Sequence, residues 1–274
     1  MIFTDRGIEI KTREQISAMR AAGLVVGRTL EVLRAAVRPG VSTGELDAIA
    51  EHQIRSSGAI PSFKGYHGFT GSICTSVNEE VVHGIPGSRV LAEGDLISID
   101  CGAIVDGWHG DAAITVPVGE VDPKLLELAQ VCEDSMWQGF AAARLGGRLS
   151  DISAAVERHV RAHSSYGIVT DFVGHGIGSA MHQPPNVPNV GRPGRGPKLV
   201  EGLALAVEPM LTLGRQDNHT LADDWTVVTD DGRPAAHTEH TFTLTPGGPW
   251  ILTALDGGAS KLAELGLPCG ALAD

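Results

Sequence analysis

Asp100 ends the apolar run Leu96-Ile97-Ser98-Ile99, and Asp111 stands on the stretch that returns after Asp106-Gly107. An Asp-Gly pair between apolar runs signals a two-residue hairpin turn, which would set Asp111 opposite Gly102. Asp100 and Gly102 share a face, so the two carboxylates become diagonal neighbours, about 7–8 Å apart at the backbone. Carboxylates that converge on a half-buried face repel each other unless a cation or a proton lies between them. The small residues Cys101, Gly102 and Gly110 leave room for a ligand. The flanking strand is too apolar for two merely solvated acids, and a metal is the expected occupant.

The same theme recurs further along. Glu208 follows Leu203-Ala204-Leu205-Ala206-Val207 and precedes Pro209, which places it at the end of a buried strand. Glu239, between His237-Thr238 and His240, enters the last apolar strand. Buried glutamates are costly and uncommon, so two of them at strand ends beside an Asp pair suggest one shared site. His175 sits in Gly174-His175-Gly176-Ile177-Gly178, where glycines let backbone and ligand approach closely. One imidazole with four carboxylates is a hard, oxygen-rich set that suits Mn, Fe(II), Co or Zn. His83, in Val81-Val82-His83-Gly84-Ile85-Pro86, and His182 read by themselves as core or surface histidines. Nothing matches a phosphate-binding GxGxxG or Walker loop.

Elements able to position these residues repeat along the chain. Residues 35–55 and 141–161 align without gaps at an offset of 106, with seven of 21 pairs identical. In each half a helix ends near a glycine, Gly40 or Gly146, and a second helix follows a Ser/Thr cap. The spacing of Leu46, Ile49, Ala50 and Ile54 supports that second helix. Strands come next: 96–105 and its return through Ile114-Thr115-Val116 in the first half, then 203–208, 225–228 and 240–244 in the second. Helices followed by hairpins, twice over, predict an α+β fold with a mostly antiparallel sheet. The Pro/Gly-rich loop 184–197 either shapes the site or is a solvated connection, and the stretch from Gly247 reads as a weakly ordered tail.

Composition narrows the class. A net charge of −12 argues against a nucleic-acid surface, and no stretch is apolar enough to span a membrane. The N-terminus lacks a secretory pattern, and Cys74, Cys101, Cys132 and Cys269 form neither a CxxC pair nor a disulfide-style spacing. A reduced, cytoplasmic enzyme is expected.

The motifs GYHGF (65–69), SICTSVNEEVVHGIP (72–86), SIDCGAIVDGWHGDAAIT (98–115), GHGIG (174–178), AVEPM (206–210) and TEHT (238–241) resemble those of bacterial type I methionine aminopeptidases. The resemblance covers roughly residues 10–246. The Asp, Asp, His, Glu, Glu set marks only the wider pita-bread superfamily, whereas GYHGF with SICTSVNEEVVHGIP is more specific. The resemblance implies a single catalytic domain over 1–246, with pseudo-symmetric halves at about 10–120 and 121–246 and a tail at 247–274. Its curved antiparallel sheet would be covered by helices.

The resemblance also implies roles. Asp100 would hold one of two divalent ions (Co, Mn, Fe, Zn or Ni), Asp111 and Glu239 would bridge both, and His175 and Glu208 would hold the other. A water activated between them would attack the peptide bond after an initiator methionine that precedes a small residue. Glu208 would shuttle its proton, His182 would stabilise the oxyanion, and His83 would contact the scissile amide nitrogen. Tyr66, His67, Phe69, Cys74 and Trp225 would bind substrate, with Phe63 and Met181 as departures that reshape the pocket. His182-Gln183-Pro184-Pro185 departs from the acidic residues usual at the rim. Implied too are nascent N-termini as substrates, met at the ribosome, and a monomer. The rivals are a proline-type aminopeptidase, which would carry an extra N-terminal domain, and a binding protein that has lost its metals, which would lack a ligand.

Overall fold

The computed structural model describes residues 2–3 and 7–272. The first half runs β1 (Ile2–Phe3), β2 (Glu9–Ile10), α1 (Arg13–Ala36), α2 (Thr43–Ser56), β3 (Ile60–Pro61), β4 (Ile73–Val77), β5 (Glu80–Val82), β6 (Leu96–Val105) and β7 (Trp108–Pro117). The second opens with α3 (Pro123–Ala142), α4 (Leu149–His163), β8 (Gly167–Ile168), β9 (Gly174–Gly176), β10 (Gln183–Val187) and β11 (Ala204–Val207). It continues with β12 (Met210–Thr212), β13 (Asn218–Thr220), β14 (Val227–Thr229), β15 (Ala235–His237), β16 (Glu239–Thr245), β17 (Gly248–Ile251) and α5 (Ala259–Glu264). Among the described residues no helix is long and apolar enough to cross a membrane.

Helix ends reproduce the repeat to the residue: α1 and α3 end at Ala36 and Ala142, and α2 and α4 start at Thr43 and Leu149. Both pairs differ by the offset of 106. The caps differ, however. Ser42 caps α2 in a box with Glu45, as the Ser/Thr signal predicts. In α4 the cap is Arg148, whose N–H donates to Asp151 at 2.8 Å. Ser150 lies inside the helix, and its hydroxyl donates to Arg195 O instead.

Nine strands form one antiparallel sheet in the order β10-β9-β11-β16-β7-β6-β3, with β17 on β16 and β4 on β6. The two halves meet where β16 pairs with β7, through Glu239 opposite Ala113 and His240 opposite Ala112. Alternation decides what each face carries. Ile97, Ile99, Cys101, Ala103 and Ala112 are buried with Val26, Leu30 and Leu33 of α1 and Leu46, Ala50 and Ile54 of α2. Asp100, Asp111 and Ala113 therefore face the other way. In the second half, Met136 and Phe140 of α3 and Ile152 and Val156 of α4 pack with Leu205, Val207, Phe242 and Leu244.

The chain beyond Gly247 is not the weakly ordered tail expected. Ile251 of β17 pairs with Phe242 of β16, Leu252 and Leu262 are fully buried, and Arg20 donates to the carbonyls of Leu252 and Leu255. The apolar run Trp250-Ile251-Leu252 drives this docking, which the preceding Pro-Gly-Gly-Pro masks in the sequence. Residues 273–274 of that stretch, with 1 and 4–6, lie outside the described residues. Loop 184–197 also differs in part, because its first residues extend β10, and β10 pairs with β9. Residues 194 and 195 are then tied to α4 through Asp151 and Ser150.

Candidate metal centre

The β6–β7 hairpin forms as its sequence predicts. Asp106 and Gly107 both take positive φ, 50° and 81°, as a two-residue hairpin turn requires. Gly102 then pairs with Asp111, and Asp100 with Ala113. Ala113 is also the partner of Glu239, so Asp100, Ala113 and Glu239 form one row across three strands, and Asp111 shares their face. One step beyond Val207 opposite His240, Glu208 continues the β11 ladder beside Glu239. On the far side β9 pairs with β11 through Gly176 and Leu205, which sets His175 beside Ala206, on the face of Glu208. Four neighbouring strands and the residue just past β11, Glu208, bring the five side chains to one place.

Their electrostatics follow from that crowding. His175 Nε2 lies 3.5 Å from Glu208 Oε1, 3.9 Å from Glu239 Oε1 and 4.0 Å from Asp111 Oδ2. Burial pushes the Asp100 carboxyl up to about 7, against a hydrogen bond shared with Asp111. Burial, then the charges of Glu239 and Asp100, holds Asp111 well above the carboxylate range. Glu208 and Glu239 are raised the same way, burial first and neighbouring carboxylates second. Burial pulls His175 down to about 3, so its ring is neutral and a ready ligand.

Asp100 Oδ1, Asp111 Oδ1 and Glu239 Oε1 are buried with no hydrogen-bond partner among the described residues. Buried polar atoms are seldom left so, and a divalent cation is the partner that satisfies several anionic oxygens at once. Ligand atoms of Asp111, His175 and Glu239 lie within 4.8 Å of one another. The donor set fits a divalent metal.

A cavity of ≈ 100 Å³ opens onto these residues. Its remaining walls are Phe63, Tyr66, Phe69, Cys74, His83, Met181, His182 and Trp225. The buried apolar members, Phe63, Phe69, Cys74 and Met181, pack together beside Tyr66, Ile85 and Trp225. Trp225 falls just before β14 instead of within a strand, because the Asp223 carboxylate accepts the N–H groups of Trp225 and Thr226. His182 is held by Tyr66, Nδ1 to hydroxyl at 2.9 Å, and its ring stands 4.4 Å from that of His175. His83 packs edge-on against Phe172, and burial pulls it down to about 4. His67 alone of the expected residues does not line the cavity; it is exposed, with its ring against the outer side of Tyr66. A larger groove of ≈ 520 Å³ between α1 and α3 gathers none of these residues, so size does not pick out the site.

Four contributors were not anticipated as site residues. Thr241 grips the Asp111 backbone, its hydroxyl donating to Asp111 O at 2.8 Å. Asn189, in the loop after β10, donates to Glu208 O at 3.1 Å. Phe172 backs His83. His237 matters most. Its Nε2, buried and without a hydrogen-bond partner, lies 3.6 Å from Glu208 Oε2 and 3.9 Å from Glu239 Oε2. Each glutamate thus shows one oxygen to His175 and the other to His237. The only sequence signal was proximity to Glu239; His237 ends β15 in a separate sheet, and the break at Thr238 before β16 turns its ring toward the glutamates. Groups that orient metal-binding carboxylates tune affinity, so His237→Leu is expected to weaken divalent-ion binding by about 10–100-fold. Calorimetric titration with Mn(II) measures this, and an unchanged affinity would remove His237 from the site.

Comparison with known proteins agrees with the geometry. The model of metallopeptidase family M24 matches residues 17–246. A methionine aminopeptidase from Clostridium acetobutylicum is 53% identical over 247 residues, 90% of this chain and 98% of that protein. Methionine aminopeptidase 1 from Bacillus subtilis is 51% identical, covering 89% of this chain and 98% of its own length. Among solved structures, methionine aminopeptidase from Rickettsia prowazekii superposes with a TM-score of 0.88 at 40% identity, over 90% of this chain and 99% of that one. The antiparallel sheet and its doubled helix pairs are the pita-bread fold. The chain belongs to metallopeptidase family M24 and, within it, to the bacterial type I methionine aminopeptidases.

Proposed function

We propose that this metallo-aminopeptidase removes the initiator methionine from new polypeptides whose second residue is small. One observation carries the reading: five ligating side chains from adjacent strands face a cavity whose opposite wall is Phe63, Phe69, Cys74, Met181 and Trp225. That wall suits a thioether side chain. Its size admits one residue beside the metal centre, as an exopeptidase requires.

Asp100, Asp111, His175, Glu208 and Glu239 would hold two divalent ions of the Co, Mn, Fe, Zn or Ni group. The ions, when bound, polarise the scissile carbonyl and make a water nucleophilic at neutral pH. Glu208 then takes the proton from that water and passes it to the leaving amine. Its side chain is 12% exposed and open to the cavity, whereas that of Glu239 is 2% exposed. In the tautomer whose Nδ1 accepts from the Tyr66 hydroxyl, the neutral His182 ring carries its proton on Nε2 and can donate to the oxygen that gains charge. Burial keeps His83 neutral, and its ring can hydrogen-bond the scissile amide nitrogen. The substrate's free amine lies at the Asp100 end.

The protein would act as a monomer in the cytoplasm, on chains leaving the ribosome. The test is release of methionine from Met-Ala-Ser, before and after chelation and with each metal restored. Chelation should stop turnover and at least one divalent ion should restore it. Cleavage of Xaa-Pro peptides with Met-Ala-Ser untouched would overturn the assignment.

A further inference from the structure

We propose that Glu9, on β2, and Lys11, just after it, are positioning residues that act through the loop carrying His182. The proposal rests on the role given to His182 above. Both side chains are almost wholly buried, 2% and 1% exposed, with Lys11 Nζ 3.6 Å from Glu9 Oε2. The pair grips both ends of the turn 178–183. At the near end, Glu9 Oε2 accepts the Ser179 N–H at 3.2 Å. Gly178 lies so close that a Cβ there would meet Lys11 Cε and Glu9 Oε2. At the far end Lys11 Nζ donates to Gln183 Oε1 at 3.4 Å, and Gln183 Nε2 closes the turn by donating to Ser179 Oγ at 3.1 Å. Between these anchors stand Met181, in the cavity wall, and His182.

Lys11 is itself fixed, since its N–H donates to Gly202 O at 2.8 Å and Nζ donates to Glu9 O at 3.2 Å. Its charge is therefore tied to the sheet edge and to the turn, not to solvent. His182 is partly exposed and has the Tyr66 hydroxyl as its side-chain hydrogen-bond partner. What keeps its ring above His175 is the path of the turn, and that path is set from Glu9 and Lys11. A small misplacement of a group that meets the reacting atoms costs rate more than binding.

The experiment is a double-mutant cycle on metal-loaded enzyme. Glu9→Gln with Lys11→Met removes both charges together, so neither is left buried without its counter-charge. It should lower kcat for Met-Ala-Ser by about 10–100-fold, with KM and bound metal unchanged. Joined to His182→Ala, the same pair should lower kcat by less than about twofold further. Equal losses in both backgrounds, or a loss that follows missing metal, would overturn the clamp and leave a purely structural ion pair. Wild-type kcat in His182→Ala alone would instead defeat the role of that histidine, and the proposal with it. Gln183→Leu opens the same turn without touching a charge and should show the same coupling. Failure of both variants to fold would also overturn the proposal.

Discussion

Glu208→Gln should lower kcat for Met-Ala-Ser by about 10²–10⁴-fold, the range of a lost general acid–base. That is about 3–5 kcal/mol on the barrier. The amide keeps the size of the carboxylate and one oxygen toward His175, so the backbone at Val207-Glu208-Pro209 has no reason to move. What it loses is the ability to accept and return a proton. Glu208 is the member of the set suited to that task, because it combines access to the cavity with a carboxyl raised by burial and by Asp100 and Asp111. The measurement is kcat at saturating metal, with bound metal counted in the same samples. Turnover within a few-fold of wild type at equal metal content would defeat the assignment.

How far the site was legible depends on the range of the contacts that build it. The Asp100–Asp111 relation was fully readable, because a two-residue Asp-Gly turn fixes the register of both strands. The helix pairs were readable from a short internal repeat, although α4 starts after Arg148 and not after the expected Ser/Thr cap. The gathering of Glu208, Glu239 and His175 was not. It depends on β16 pairing with β7, a contact between residues 239 and 113 with no local signature. The resemblance of motifs supplied what periodicity could not. It also carried His67 into the substrate-binding set, yet that ring is not among the cavity's lining and stands edge-on to Tyr66. His237 reads in the sequence only as a flank of Glu239, because the break between β15 and β16 that brings it to the glutamates has no local signature. The docked C-terminal strand was missed because glycine and proline were weighed above the three apolar residues that follow them.

Without divalent ions, the protein should lose stability as pH rises above about 6.5, and metal should restore more stability at pH 8.5 than at pH 6.5. The sign follows from proton counts. Asp100 is raised to about 7, and Asp111, Glu208 and Glu239 are raised well above their ordinary values. Unfolded, such groups titrate near pH 4. The native chain then holds protons that the unfolded chain has released. Stability from this source is complete below the unfolded values and is lost as pH climbs through the raised ones. Buried histidines act in the opposite sense. His175 and His237 are depressed to about 3, and His83 and His240 to about 4, so their effect appears only as pH falls below the unfolded histidine value near 6.5. Between that point and about pH 8 the carboxyls set the slope; above it buried Lys11, lowered to about 8, opposes them, and the raised thiols of Cys74, Cys101 and Cys132 add to them. Each proton of difference changes stability by about 1.36 kcal/mol per pH unit, which is roughly 3–5 °C in Tm for a chain of this size. Divalent ions replace those protons, so the loaded protein should show little slope over the same window. Calorimetric Tm values in chelator and in Mn(II), at both pH values, decide it. A chelated protein whose Tm holds or rises with pH would show that the four carboxyls do not crowd as the strands place them.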